Sequence, residues 1–118
     1  MSQELPPQIK NQLAQLQQIQ QQAQAIQVQK NQVEITLKET ELALEELEKL
    51  EPDVAVYRAI GDLLIKTERD KTKDILKEKK DTLDLRLQTL ARQEERAQKR
   101  FQQLQEQLKQ AIGTPTAQ

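Results

Sequence analysis

Between Pro7 and Pro52 the chain keeps a three-then-four spacing of mainly apolar residues, and that repeat limits the fold more than any other feature. The series runs Ile9, Gln12, Leu16, Ile19, Ala23, Ile26, Lys30, Val33, Leu37, Thr40, Leu44 and Leu47. Nine of these twelve are apolar. A 3.5-residue average puts one stripe along one side of an α-helix and calls for a second helix to cover it. A disordered chain would not hold register for so long. A second run does the same: Leu76, Lys80, Leu83, Leu87, Leu90, Glu94, Ala97, Phe101, Leu104, Leu108 and Ala111, with nine of eleven apolar. Composition agrees. With 36% hydrophobic, 31% charged and only 2% aromatic residues, the chain can fill a narrow seam but not a thick core.

Prolines and glycines mark the boundaries. Pro6 and Pro7 suit a first helical turn, and Pro52 stops what they start, giving a helix over about 8–50. At a rise of 1.5 Å per residue it is roughly 65 Å long. Asp70 and Thr72 are candidate N-caps for a second helix over about 71–112. Gly113 and Pro115 end it, leaving a flexible tail at 113–118. Two runs of similar length joined by a short insert fold most simply as an antiparallel pair, with both termini at one end and the insert at the other. If Leu47 lies near Leu76, small Ala23 faces large Phe101, and Lys30 falls within about one turn of Glu94. Those two opposite charges interrupt the stripes, so they either pair and fix the register or reach water separately.

In the insert the period changes from 3.5 to 2. Val54, Val56, Tyr57, Ile60 and Ile65 favour strands, and Gly61-Asp62 lies between two such runs. A glycine that accepts positive φ makes this a two-residue β-turn, with strands near Val54–Ile60 and Leu63–Thr67. Leu63, Leu64 and Ile65 are consecutive, so this hairpin is apolar on both faces. A lone two-stranded hairpin is marginal in water. It must pair with another chain or fold back on its own coiled coil. The expected fold is therefore mainly α: one domain over 1–118, a long antiparallel two-helix coiled coil with one β-hairpin inserted between the helices.

Catalytic chemistry has little to work with. The chain has no His, no Cys and two glycines, which removes the commonest general base, the thiolate nucleophile and the phosphate-binding loop. Glu39, Glu41, Glu45, Glu46 and Glu48 read as a solvated helix face. No catalytic residue, cofactor or metal site is expected, and the chain is not read as an enzyme. A net charge of −1 recruits neither DNA nor an acidic membrane. No apolar run approaches the ~20 residues of a membrane span, and the first eight residues lack a signal-peptide pattern. With no cysteine this fits a soluble protein of a reducing compartment.

Four surface features remain. Arg86, Arg92, Arg96, Lys99 and Arg100 cluster near Glu94 and Glu95; the ordinary reading is a salt-bridged surface, and no aromatics interleave for base stacking. Thirteen of the first 32 residues are Gln, which reads as a helix with an uncharged polar surface, suited to sliding along varied partners. Leu5, Leu13 and Ile112 lie off the seam series and, with Ile9, Leu16, Leu108 and Ala111, form either a widened seam or a docking patch for exposed apolar segments. Val28, Ile35 and Leu42 also repeat every seven residues outside the seam, by chance or as a subunit contact.

Val56-Tyr57-Arg58, Gly61, Leu63-Leu64-Ile65-Lys66, Thr82-Leu83-Asp84-Leu85-Arg86 and Arg92-Gln93-Glu94-Glu95-Arg96 together carry a family resemblance. So do the opening Asn11-Gln12-Leu13-Ala14-Gln15-Leu16 and Val28-Gln29-Lys30. Over nearly its whole length the chain resembles the beta subunits of archaeal prefoldin, which carry one hairpin where the alpha subunits carry two. The resemblance implies a cytoplasmic chaperone of two alpha and four beta subunits, whose hairpins assemble into an inter-subunit double β-barrel. It implies coiled-coil tips that capture non-native proteins without ATP and pass them to a group II chaperonin. Carried over, Val54, Val56, Tyr57, Ile60, Gly61, Leu63, Leu64 and Ile65 build the platform, and Leu5, Ile9, Leu13, Leu108 and Ile112 touch clients. The competing readings are a structural coiled-coil tether or scaffold and, more weakly, a nucleic-acid-binding rod.

Overall fold

The computed structural model describes residues 5–113. Its elements are two long helices, α1 (Pro7–Glu48) and α2 (Arg69–Gly113), with strands β1 (Val56–Ile60) and β2 (Leu63–Thr67) between them. Both helices contribute to each of two compact units. A terminal unit holds Met1–Lys30 and Thr89–Gln118, and a central unit holds Asn31–Gln88.

Local chemistry sets the ends. Pro7 is the first residue of α1, where its missing N–H is no loss. The Pro6 carbonyl accepts from Ile9 N at 3.0 Å and Lys10 N at 3.1 Å, starting the helix. α1 stops at Glu48, two residues before the expected residue 50. A helical Pro52 would drive its ring against the carbonyl four residues back, which is that of Glu48. Lys49 N and Leu50 N turn instead to Glu46 O and Leu47 O, both at 3.2 Å, in tighter i to i+3 bonds. α2 starts at Arg69, so Asp70 and Thr72 lie inside it rather than capping it. Glu68 O accepts from both Thr72 N, at 3.0 Å, and Thr72 Oγ1, at 2.8 Å. Gly113 is the last residue of α2 and has no positive φ, so it does not form a left-handed cap. Pro115 and the expected tail beyond Gly113 fall outside the described residues.

The seam follows the heptads. All twelve positions of the α1 series are buried or half-buried, and so is every member of the α2 series except Ala111. The most deeply buried residues form one row per helix, seven apart: Val33, Thr40 and Leu47 in α1, Leu90, Ala97 and Leu104 in α2. Thr40 is polar yet only 4% exposed. Its hydroxyl donates to Thr36 O at 2.8 Å, so the seam receives no unpaired donor.

Ion pairs show the antiparallel order. In the central unit Glu48 pairs with Lys73 at 2.7 Å and Glu41 with Lys80 at 3.9 Å, so one helix number rises as the other falls. In the terminal unit Lys30 Nζ lies 3.0 Å from Glu94 Oε1, and Ala23 and Phe101 line the same shallow groove.

Candidate functional site

Two surfaces invite contact, one in each unit. In the central unit, β1 and β2 pair antiparallel, with Val56 opposite Thr67, Tyr57 opposite Lys66, Arg58 opposite Ile65, Ala59 opposite Leu64 and Ile60 opposite Leu63. Gly61 supplies the turn with φ of 57°, and Asp62 has no positive φ, the sign pattern of a type II′ turn. β1 starts at Val56 rather than Val54, because Val56 pairs with Thr67, the last residue of β2, and Val54 N turns back to Glu51 O at 3.1 Å.

Strand alternation sorts the side chains. Val56, Arg58, Ile60, Leu63, Ile65 and Thr67 share one face, and Tyr57, Ala59, Leu64 and Lys66 share the other. Tyr57 is 60% exposed, Leu63 64% and Leu64 73%. Val54, Ile60 and Ile65 are exposed too, while Val56 is half-buried. The hairpin is thus greasy on both faces, and the chain's own helices leave it uncovered. A two-residue turn closes on a hydrogen-bonded pair, so Tyr57, Ala59, Leu64 and Lys66 direct their backbone groups outward to the two edges. Such edges are templates for strand addition.

A clamp beneath the hairpin holds the end of α1 to the start of α2. Arg69, with only 12% of its side chain exposed, donates from Nε to Leu47 O at 2.9 Å, a second donor beside Leu50 N on a carbonyl of the last turn of α1. Its guanidinium also lies 2.9 Å from Asp70 and 3.8 Å from Glu48. The Lys73 ammonium, hydrogen-bonded to Glu48, holds that carboxyl below its ordinary value, with smaller pulls from Arg69 and Lys77. One heptad further along α2, the hydrogen-bonded Asp84 carboxylate raises Lys80, helped by Glu41 and Asp81. Sequence reasoning missed the clamp. The available signal was Arg69 and Lys73, one helical turn apart just past the hairpin, answering the acidic Glu45–Glu48 stretch just before it.

In the terminal unit, Leu13 and Ile112 are exposed, as is Leu5 just ahead of α1. Ile9 and Leu108 are half-buried in the seam. An open groove of about 690 Å³ runs past Leu108 and Ile112, with Gln102, Glu106, Lys109 and Gly113 around it. Leu5, Ile9 and Leu13 do not line this groove. Val28, Ile35 and Leu42 are all exposed on α1. Among the described residues no group of three or more His, Cys, Asp or Glu side chains is placed to hold a metal ion. No described helix is long and apolar enough to cross a membrane.

Known proteins match this arrangement of helix, single hairpin and helix. The prefoldin subunit family model matches residues 10–114. Prefoldin subunit beta of Methanococcoides burtonii is 66% identical over 114 residues, 97% of each chain. That of Methanosarcina acetivorans is 58% identical over the full length of both. The crystal structure of the prefoldin beta subunit from Thermococcus strain KS-1 superposes with a TM-score of 0.84 at 40% identity, covering 94% of this chain and 97% of that one. On these grounds the chain belongs to the prefoldin family, among its beta subunits.

Proposed function

We propose that this chain is a subunit of an ATP-independent chaperone that holds non-native proteins. The observation that carries the reading is the pair of exposed apolar surfaces in a chain of this family. The two-faced hairpin with Tyr57, Leu63 and Leu64 is the assembly surface, joining alpha-type and other beta-type subunits, two alpha to four beta. Leu5, Ile9, Leu13, Leu108 and Ile112 supply the capture surface, from which a client passes to a group II chaperonin in the cytoplasm. Holding needs no catalytic group. Burying exposed apolar segments of a client is favourable by about 25 cal/mol per Å², and release follows from competition rather than from hydrolysis.

The test is aggregation of a thermally unfolding protein at low salt, without ATP, in the presence of the assembled complex. The complex is expected to suppress light scattering. Leu13→Gln combined with Ile112→Gln alters exposed side chains only, so assembly mass should stay constant while protection falls at least severalfold. A tether or scaffold would protect nothing and would ignore both substitutions; equal protection by wild type and variant would remove the capture surface from this end.

A further inference from the structure

The terminal unit carries a charge imbalance that its own contacts do not settle. Among its described residues only Glu94, Glu95 and Glu106 are acidic. Each is already engaged. Glu94 is turned into the seam by Lys30 at 3.0 Å, Glu95 accepts Lys99 at 3.3 Å, and Glu106 accepts the Gln110 amide at 3.4 Å. Arg92, Arg96 and Arg100 are exposed and have no carboxylate partner among the described residues. Of the salt-bridged surface expected from sequence, the Lys99–Glu95 pair forms, while Arg92, Arg96 and Arg100 stay outside it because the seam and Lys99 take the nearby carboxylates. α1 offers no relief, since residues 11–29 contain no charge at all. Arg92, Arg96 and Arg100 follow one another at i, i+4 and i+8, where like charges are neighbours and repel.

Arg92 and Arg96 lie in a groove whose neighbours reach the apolar end of α2. Three shallow grooves adjoin along the helix. Arg92, Glu95, Arg96 and Lys99 line the first, Lys99, Gln102 and Glu106 the second, and Gln102, Glu106, Lys109, Leu108 and Ile112 the third, each sharing a residue with the next. Glu95 and Glu106 are the two carboxylates already engaged by Lys99 and Gln110, and Arg100 stands one turn past Arg96, outside the grooves. From Arg96 to Ile112 the helix rises about 24 Å, a distance that about seven residues of extended chain span.

We propose that this track makes the terminal unit selective for clients whose exposed apolar segment lies about seven residues from a cluster of carboxylates. This deepens the holdase reading and rests on it. The apolar segment lies against Leu108 and Ile112, and the carboxylates meet Arg92, Arg96 and Arg100. Guanidinium groups suit this task because their forked donors match carboxylates without a fixed sequence. The uncharged glutamine face of α1 adds no repulsion for the acidic segment.

Three labelled peptides test it, each with one identical apolar block followed after a seven-residue spacer by four Asp, four Ser or four Lys. Binding to the full chain, in the assembly in which it purifies, is followed by fluorescence anisotropy at low and high salt. The Asp peptide is expected to bind about tenfold tighter than the Ser peptide at low salt, the sum of three surface ion pairs, and to lose that advantage at high salt. The triple variant Arg92→Gln, Arg96→Gln, Arg100→Gln is expected to bind Asp and Ser peptides equally, with Ser-peptide affinity unchanged. Equal binding of all three peptides by the wild type, or a preference that survives in the variant, overturns the selectivity while leaving the holdase reading intact. No binding of the Ser peptide overturns both. A single-stranded oligonucleotide that binds more tightly than the Asp peptide, and loses that affinity in the variant, reassigns the row to nucleic acid and overturns the proposal.

Discussion

Lys30 and Glu94 occupy seam positions that heptad logic reserves for apolar side chains, and they meet across the terminal unit at 3.0 Å. With 26% and 19% of their side chains exposed, they are neither fully solvated nor fully desolvated. A register slip would separate them and leave each charge against apolar neighbours, so the pair selects one alignment more than it adds stability. A double-mutant cycle with Lys30→Leu and Glu94→Leu is expected to give a coupling of about 1 kcal/mol in chemical unfolding. Additive effects would mean that the two charges act independently. Thr40 solves a similar problem locally, by returning its hydroxyl to Thr36 O. That burial was not legible in composition: nothing marks Thr40 as more enclosed than Leu37 or Leu44 except its place in the row with Val33 and Leu47. Lys30 beside Glu94 was legible because the charges break otherwise apolar series. The freedom of Arg92, Arg96 and Arg100 was not, because it depends on where Glu94 points.

At the scale of elements, the helices and the hairpin differ in what defines them. The helices follow from periodicity, and all twelve α1 seam positions read from sequence are at least half-buried. Their ends were less legible. The end of α1 depends on the reach of Pro52 back to Glu48, and the start of α2 on Glu68 O, neither of which a periodic pattern encodes. The hairpin depends on its turn. Gly61 has φ of 57°, and a Cβ there would meet nothing within 4 Å, so substitution is penalised by backbone strain alone. Gly61→Ala is expected to weaken the hairpin by about 1–2 kcal/mol, and Gly61→Asn by less, because Asn tolerates the left-handed region. Amide exchange in β1 and β2 reads this out: equal protection in all three proteins would show that the turn does not limit the hairpin.

For the whole molecule, the governing fact is that the chain leaves its best apolar surface uncovered. Tyr57, Leu63 and Leu64 are more than half exposed, on two faces of a sheet too small to be stable alone. A charge on the second face tests the assembly role without touching the seam. Leu64→Lys is expected to reduce the mass of the purified complex while leaving helix content unchanged by circular dichroism. An unaltered mass would show that subunits join elsewhere. The sequence disclosed this surface through the consecutive Leu63, Leu64 and Ile65, because no strand can hide three adjacent apolar residues on one side.

The uncovered hairpin also sets a condition on supply. A chain newly made and still without partners displays the same kind of surface that marks a protein as misfolded. It is open to stray strand pairing at both edges and to recognition by proteases. Production of the subunits must therefore stay in proportion, because any surplus of this chain adds exposed apolar surface of the kind that the proposed holdase would have to cover.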